Sequence, residues 1–227
     1  MQKRCSLQDA LSPWIHNAFP NIKKYINEGE GLKIKKGTVL ISPGERSNYL
    51  FYVLRGNLKT SLVHMDGQEK MLFITGLNSI IYEGTLLDNN ISPVVVTALE
   101  QCEIIKFSRE QIRYFLEKDH QFVLDLINFQ SLKYKLVTSL HQDLLFLNPS
   151  ERCSRILCLL SGSYDTGFIH SKQVALRLTQ AQLAELLGLS RVTVANILKE
   201  MRNHNVISTQ NKHLVLHEGF CEYCQNI

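Results

Sequence analysis

Five residues near the end of the chain, Arg191, Val192, Thr193, Asn196 and Lys199, put a guanidinium, an isopropyl group, a hydroxyl, an amide and an ammonium on one short stretch of sequence. Each group matches a feature of duplex DNA. A guanidinium forks onto the two acceptors of a guanine edge, an apolar side chain meets a thymine methyl, and an amide pairs with an adenine edge or a phosphate. Thr179, Gln180 and Ser190 stand where two helices are expected to begin; there, hydroxyls and free backbone amides suit phosphate oxygens. Catalytic chemistry is not in view, since the chain carries no glycine-rich phosphate loop, no nucleophile elbow, no paired histidines of zincin spacing and no acid–base dyad. The sequence therefore points to binding, and no enzyme activity is expected.

The elements that must present these side chains are legible around them. Thr179 caps a first helix with Leu183, Ala184 and Leu187 turned inward. Gly188 permits a left-handed turn, and Ser190 caps a second helix with Val194, Ile197, Leu198 and Met201 inward. That spacing predicts a helix-turn-helix, with the leading half of the second helix free to enter a major groove. Val206-Ile207-Ser208 and His213-Leu214-Val215-Leu216 then predict a hairpin, the wing of a winged helix. Between 172 and 213 six basic residues (Lys172, Arg177, Arg191, Lys199, Arg202, Lys212) face two acidic ones (Glu185, Glu200), so the formal +4 of the whole chain sits where a polyanion would lie.

The remaining sequence divides by hydrophobic period. From Leu32 to Phe107 short alternating runs rich in β-branched and aromatic residues lie between turns at Lys36-Gly37, Pro43-Gly44, Arg55-Gly56 and Asp66-Gly67, predicting an antiparallel barrel or sandwich. Residues 8 to 29 show weaker helical character with a break at Pro20. Ser108 caps a helix, and after Asp119 a stretch without Pro or Gly runs to about Leu147. It carries two apolar rows: Phe122, Leu126, Phe129, Leu136, Leu140 and Leu144 in one, Val123, Ile127, Tyr134 and Val137 in the other. One row is expected to cover the barrel and the other to pair with a second subunit. Asn148-Pro149-Ser150 reads as a hinge that caps a helix from Glu151 to Leu160, and Gly162 to Gly167 as an exposed loop. The expected division is 1–107, an effector-sensing barrel; 108–147, connecting and dimerisation helices; and 148–227, a winged helix-turn-helix, in an α+β chain of 227 residues. No apolar run approaches the roughly 20 residues of a membrane span, and the first residues lack a signal core, so a cytoplasmic protein is expected. The six cysteines are expected to be reduced thiols.

This order of parts resembles the Crp/Fnr superfamily of bacterial transcription regulators. The resemblance rests on Gly37 with Pro43-Gly44-Glu45, Tyr52-Val53-Leu54-Arg55-Gly56, Asp66-Gly67 and Leu189-Ser190-Arg191-Val192-Thr193-Val194. It implies a cyclic-nucleotide-binding-like jelly-roll barrel that takes a small-molecule effector, a homodimer formed by the long helices, a two-fold double-stranded DNA operator and RNA polymerase as partner, through the Gly162 to Gly167 loop. In cyclic-nucleotide members an Arg-Ser pair binds the cyclic phosphate; Ser92-Pro93 stand there here and only Glu83 of that cassette is retained. Cyclic AMP is therefore not expected. A four-thiolate iron–sulfur site and a haem held by His64 are not expected either. Asn78-Ser79-Ile80-Ile81 and Asp88-Asn89-Asn90-Ile91 look nearest to members that sense halogenated phenols. The resemblance places a pocket among Tyr82, Glu83, Thr85, Phe129, Lys133 and Tyr134 for a small organic effector. The alternative is a redox- or metal-switched regulator: Cys221-x-x-Cys224 lies near His213 and His217, four groups of the types that bind zinc. No metal site is assigned. Cys153 and Cys158 are expected in the core.

Overall fold

Strand formation in the first half follows the alternation of apolar and polar side chains. In the computed structural model, which describes residues 11–84, 90–164, 174–176, 178–210, 213–217 and 219–225, nine strands build this half. They are β1 (Trp14–Ile15), β2 (Glu30–Ile34), β3 (Val39–Ile41), β4 (Tyr49–Arg55), β5 (Leu58–Val63), β6 (Glu69–Thr75), β7 (Ile80–Ile81), β8 (Val95–Ala98) and β9 (Cys102–Ser108). They form a five-stranded sheet of order β1-β6-β5-β8-β3 and a four-stranded sheet of order β2-β9-β4-β7, antiparallel except where β1 pairs with β6. The two sheets close over a core of Phe51, Val53, Leu58, Ile81, Val96, Cys102 and Ile104. This is the expected jelly-roll sandwich. The β5–β6 hairpin turns at Asp66-Gly67, where Gly67 takes φ 84° and the Asp66 carboxylate accepts from the Gln68 amide at 2.9 Å.

Residues before Glu30 differ from expectation. Trp14 and Ile15 are a strand, too short to show any period, and Pro20 opens a 3-10 helix (Pro20–Glu28) instead of breaking one. Proline suits the first turn, where its missing N–H has no partner to lose.

Helix α1 (Arg109–Lys118) starts in a capping box, Ser108 accepting from the Gln111 amide and Gln111 from the Ser108 amide. Helix α2 (His120–Phe146) follows. Its first half is seated by interlocked aromatic rings: Phe19 lies edge-on to Phe122 at 5.2 Å and to Phe129 at 6.0 Å, and Tyr25 stacks on Phe115 at 3.8 Å. Phe122, Leu126, Phe129, Leu136 and Leu140 are buried, as one apolar row predicts. Leu144 departs from that row and is exposed, with Ile127, Tyr134 and Val137 of the second row.

The chain separates into two compact units, Trp14–Tyr134 and Met1–Pro13 with Lys135–Ile227, so the boundary falls inside α2. In the second unit, α3 (Pro149–Tyr164) follows α2. Asn148 caps it, its side-chain oxygen accepting from the Ser150 and Glu151 amides. The helix continues past Leu160 through Gly162, so the expected loop is helical as far as Tyr164; a glycine costs only about 1 kcal/mol in a helix. Residues 165–167 lie outside the described residues. Then come β10 (Val174–Leu176), α4 (Gln180–Leu187), α5 (Arg191–Asn203), β11 (Ile207–Gln210), β12 (His213–Leu216) and α6 (Phe220–Gln225). The last three strands make one antiparallel sheet, β10-β12-β11, whose β11–β12 hairpin is the expected wing. Among the described residues no helix is long and apolar enough to cross a membrane.

Candidate functional site

The helix pair α4–α5 assembles as its residues dictate. Thr179 accepts from the Gln182 amide at 3.2 Å while Gln182 accepts from the Thr179 amide at 2.9 Å. Gly188 holds φ 65° at the turn, and Ser190 accepts from the Thr193 amide at 3.0 Å. Leu183, Ala184, Leu187, Val194, Leu198 and Met201 are buried and fix the crossing. What remains outside is the predicted set. Thr179, Gln180, Ser190, Arg191, Val192, Asn196 and Lys199 are exposed and Thr193 is half-buried. Val192 is 70% exposed, an apolar side chain with nothing of its own fold to cover it. The Ser190 and Thr193 hydroxyls lie 2.8 Å apart, leaving both oxygens at the mouth of α5 beside its free amides. A cation, an apolar knob, an amide and two hydroxyls thus share one exposed helix face, which is the requirement for reading base edges while gripping phosphate.

The second site lies between barrel and α2. Tyr82 adopts φ 76°, rare for a bulky residue. Its ring is buried, and its hydroxyl donates to the Glu45 carbonyl at 2.9 Å and accepts from the Ser47 amide at 3.2 Å. The next residue, Glu83, is 3% exposed. Its Oε1 meets Nζ of Lys133 at 2.7 Å, and that ammonium also lies 4.7 Å from the Phe129 ring centroid and 5.1 Å from that of Phe73. Oε2 of Glu83 is buried and has no hydrogen-bond partner among the described residues. Of the residues proposed for this pocket, the structure brings Glu83, Phe129 and Lys133 together. Tyr82 is adjacent, with its hydroxyl committed to the loop at Glu45–Ser47. Tyr134 is not part of the group: one residue on from Lys133 turns a helix by about 100°, and Tyr134 is 75% exposed. Thr85 lies outside the described residues. Phe73 was not singled out by sequence; its distance from the helix in sequence leaves no local signal.

At the position of the phosphate-binding pair, the Ser92 hydroxyl donates to the Val94 carbonyl at 2.9 Å and Pro93 brings no cation. Cys102 and Cys153 give a thiol switch little support. Burial pushes the Cys153 thiol up to about 12 and raises that of Cys102, whose Sγ faces the Glu100 and Asn57 carbonyls, so neither is a ready thiolate. Cys158 is buried, as expected. His217 uses both ring nitrogens within the fold, on the Asn205 carbonyl at 3.1 Å and the Ser208 hydroxyl at 2.8 Å. Among the described residues no group of three or more His, Cys, Asp or Glu could hold a metal ion; the side chains of His213 and Cys221 lie outside them. His64 sits on the hairpin turn, 2.9 Å from the Asp66 carboxylate.

A sensing barrel followed by a helix-turn-helix with an exposed reading face defines a transcription regulator. Residues 32–119 match the cyclic nucleotide-binding domain family and residues 151–218 the Crp-like helix-turn-helix domain family. The chain thus carries a domain of each of these two families, in the order that the Crp/Fnr resemblance leads one to expect. It is 22% identical over 199 residues to the cAMP-activated global transcriptional regulator CRP of Salmonella typhimurium, covering 87% of this chain and 94% of the relative. It is 24% identical over 216 residues to the CRP-like protein Clp of Xanthomonas campestris pv. campestris, covering 89% and 94%. Among solved structures, the fold is shared with CprK complexed with OCPA (TM-score 0.74, 21% identity, 96% and 99% covered). It is also shared with the c-di-GMP-responsive regulator CLP of Xanthomonas campestris (TM-score 0.76, 24% identity, 87% and 98% covered). The same holds for CooA of Carboxydothermus hydrogenoformans (TM-score 0.77, 18% identity, 89% of each chain covered). Of these, CRP is a global transcriptional regulator and the Xanthomonas CLP a global regulator that responds to c-di-GMP.

Proposed function

We propose that this protein is a homodimeric regulator that reads a two-fold DNA operator through α5 and answers to a small organic effector between barrel and α2. The observation that carries the reading is the exposed face of α5, with Arg191, Val192, Asn196 and Lys199 uncovered above a buried row of Val194, Leu198 and Met201. Arg191 forks onto a guanine, Val192 meets a thymine methyl and Asn196 takes an adenine edge or a phosphate. Lys199, Thr179, Gln180, Ser190 and Thr193 hold the backbone. Dimerisation is supported by the second apolar row of α2, where Ile127 is 57% and Val137 40% exposed. The effector site is supported by the charged contact of Glu83 with Lys133 flanked by Phe73 and Phe129. RNA polymerase is the partner such a regulator would engage.

The test is selection of binding sites from random duplexes by the purified protein, followed by titration of the selected duplex with and without candidate effectors. An enriched inverted repeat with half-sites about one helical turn apart supports the reading; recovery of no enriched sequence contradicts it.

A further inference from the structure

His217 follows the last wing strand, β12, and turns its ring back to the corner where α5 gives way to β11. The helix ends at Asn203, and Asn205 after it adopts φ 56°, a conformation that asparagine tolerates better than most side chains. The Asn205 and Val206 amides still reach back to the Arg202 and Met201 carbonyls, at 2.9 and 3.2 Å. His217 closes the corner from the other side. Its own amide donates to the Val206 carbonyl at 2.9 Å, its Nδ1 meets the Asn205 carbonyl at 3.1 Å and its Nε2 the Ser208 hydroxyl at 2.8 Å. A carbonyl can only accept, so the neutral ring carries its proton on Nδ1, and Nε2 accepts from Ser208. One rigid ring thus ties the stop of the reading helix to the second residue of the wing strand.

The consequence is geometric. Helix α5 presents the base-reading groups, while β11 carries Thr209 and Gln210 exposed, polar side chains of the kind that contact phosphate. A duplex fixes the distance from a base edge to a phosphate, and a binding constellation works only within about 0.5 Å of its productive geometry. We propose that His217 is a positioning residue for DNA binding, its ring fixing the wing to the end of α5 so that wing–phosphate and helix–base contacts form together. This rests on the reading that α5 meets a duplex, and it adds the device that sets the wing. The ring acts through Asn205 and Ser208, not on the DNA.

A double-mutant cycle on the full-length protein tests it, with affinity for the selected operator read by anisotropy over a salt series. His217→Phe keeps a flat ring and removes both nitrogens. Binding should weaken about three- to tenfold, the range of one ordinary hydrogen bond, and the slope of log affinity against log salt should fall by about one, as for a lost phosphate contact. Preference at the base pair read by Arg191 should be unchanged, since α5 itself is intact. Ser208→Ala should weaken the wild type in the same way and add nothing in the His217→Phe background. Where His217→Phe does not fold, His217→Asn, which keeps an N–H for the Asn205 carbonyl alone, takes its place in the cycle. Additive losses, an unchanged salt slope or a relaxed base preference overturns the proposal. If the cycle fails while the wild type still binds duplex, only the role of His217 is lost; if the wild type ignores duplex, the regulator reading fails with it.

Discussion

Arg155 of α3 places its Nε 3.0 Å from Oδ2 of Asp143 on α2, and this ion pair braces a corner that the sequence Asn148-Pro149-Ser150 marks as a hinge. Arg152 adds a hydrogen bond to the Leu147 carbonyl at 3.0 Å, and Asn148 closes the start of α3. The end of α2 is thereby joined to α3 by side chains from both helices. Burial of Asp143 raises its pKa despite Arg155 and Arg152 beside it. Replacing Arg155 with Met should leave that carboxylate buried without its nearest cation and cost about 2–3 kcal/mol at neutral pH. The raised pKa means the folded state holds the proton more tightly than the unfolded chain, so the deficit should shrink as pH falls through the range in which Asp143 protonates. Urea unfolding at a series of pH values checks both; a deficit constant across that range refutes the role.

Arg191→Ala should lower affinity for the selected operator by about 1–3 kcal/mol and relax preference at a single base pair of each half-site. Lys199→Ala should weaken all sequences alike and reduce the slope of log affinity against log salt by about one. Fluorescence anisotropy on a panel of single-base variants separates the two. An Arg191→Ala protein that keeps the wild-type base preference would contradict the assignment.

Ile127→Glu puts a charge on the exposed row of α2 without entering the buried row of Phe122, Leu126 and Phe129. A dimer that uses this face should dissociate to monomers with the barrel still folded, and operator affinity should fall. Sedimentation velocity with circular dichroism checks it; a dimer unaffected by the charge would place the subunit contact elsewhere.

Asp119 is held down to about 2, chiefly by its hydrogen bond with Lys24 and also by the Tyr25 hydroxyl at 2.8 Å. A depressed carboxyl binds its proton more weakly when folded, so its stabilisation is complete above the ordinary carboxylate range, near 4, and is lost as pH falls toward 2. The Asp119→Asn variant should show a flatter loss of stability across that window than the wild type. Matching acid-unfolding curves for the two would refute the contribution.

Gly188 at φ 65° sets the turn between α4 and α5. Gly188→Val should cost about 1–2 kcal/mol, since a branched side chain is strained in the left-handed region, and it should weaken duplex binding by disturbing the helix crossing. Thermal unfolding reads the first and anisotropy the second.

The local parts of this molecule were legible because their signals are local. Ser108 and Thr179 announce helix starts by their own type and by the glutamine three positions on, Ser190 by its own type alone, and all three accept the expected backbone hydrogen bond. The exposed face of α5 follows from period alone. Glu83 and Lys133 were both candidates from the family resemblance, but their pairing joins positions 50 apart in the chain and has no local signature. Phe73 escaped for the same reason, being one more inward residue of a strand. Lys133 and Tyr134 show how far one residue matters on a helix: adjacent positions point apart, so the first meets Glu83 while the second is exposed. Trp14–Ile15 is too short for any period to show. The continuation of α3 through Gly162 has no local signal, because a glycine costs a helix only about 1 kcal/mol and does not by itself end one.

The most direct measurement is the stoichiometry and symmetry of the protein on a duplex carrying the selected inverted repeat, by sedimentation at low and moderate salt. Two chains per duplex are expected, with affinity that falls steeply as salt rises and is reduced by Arg191→Ala. A protein that stays monomeric and leaves the duplex unbound at low salt would contradict it.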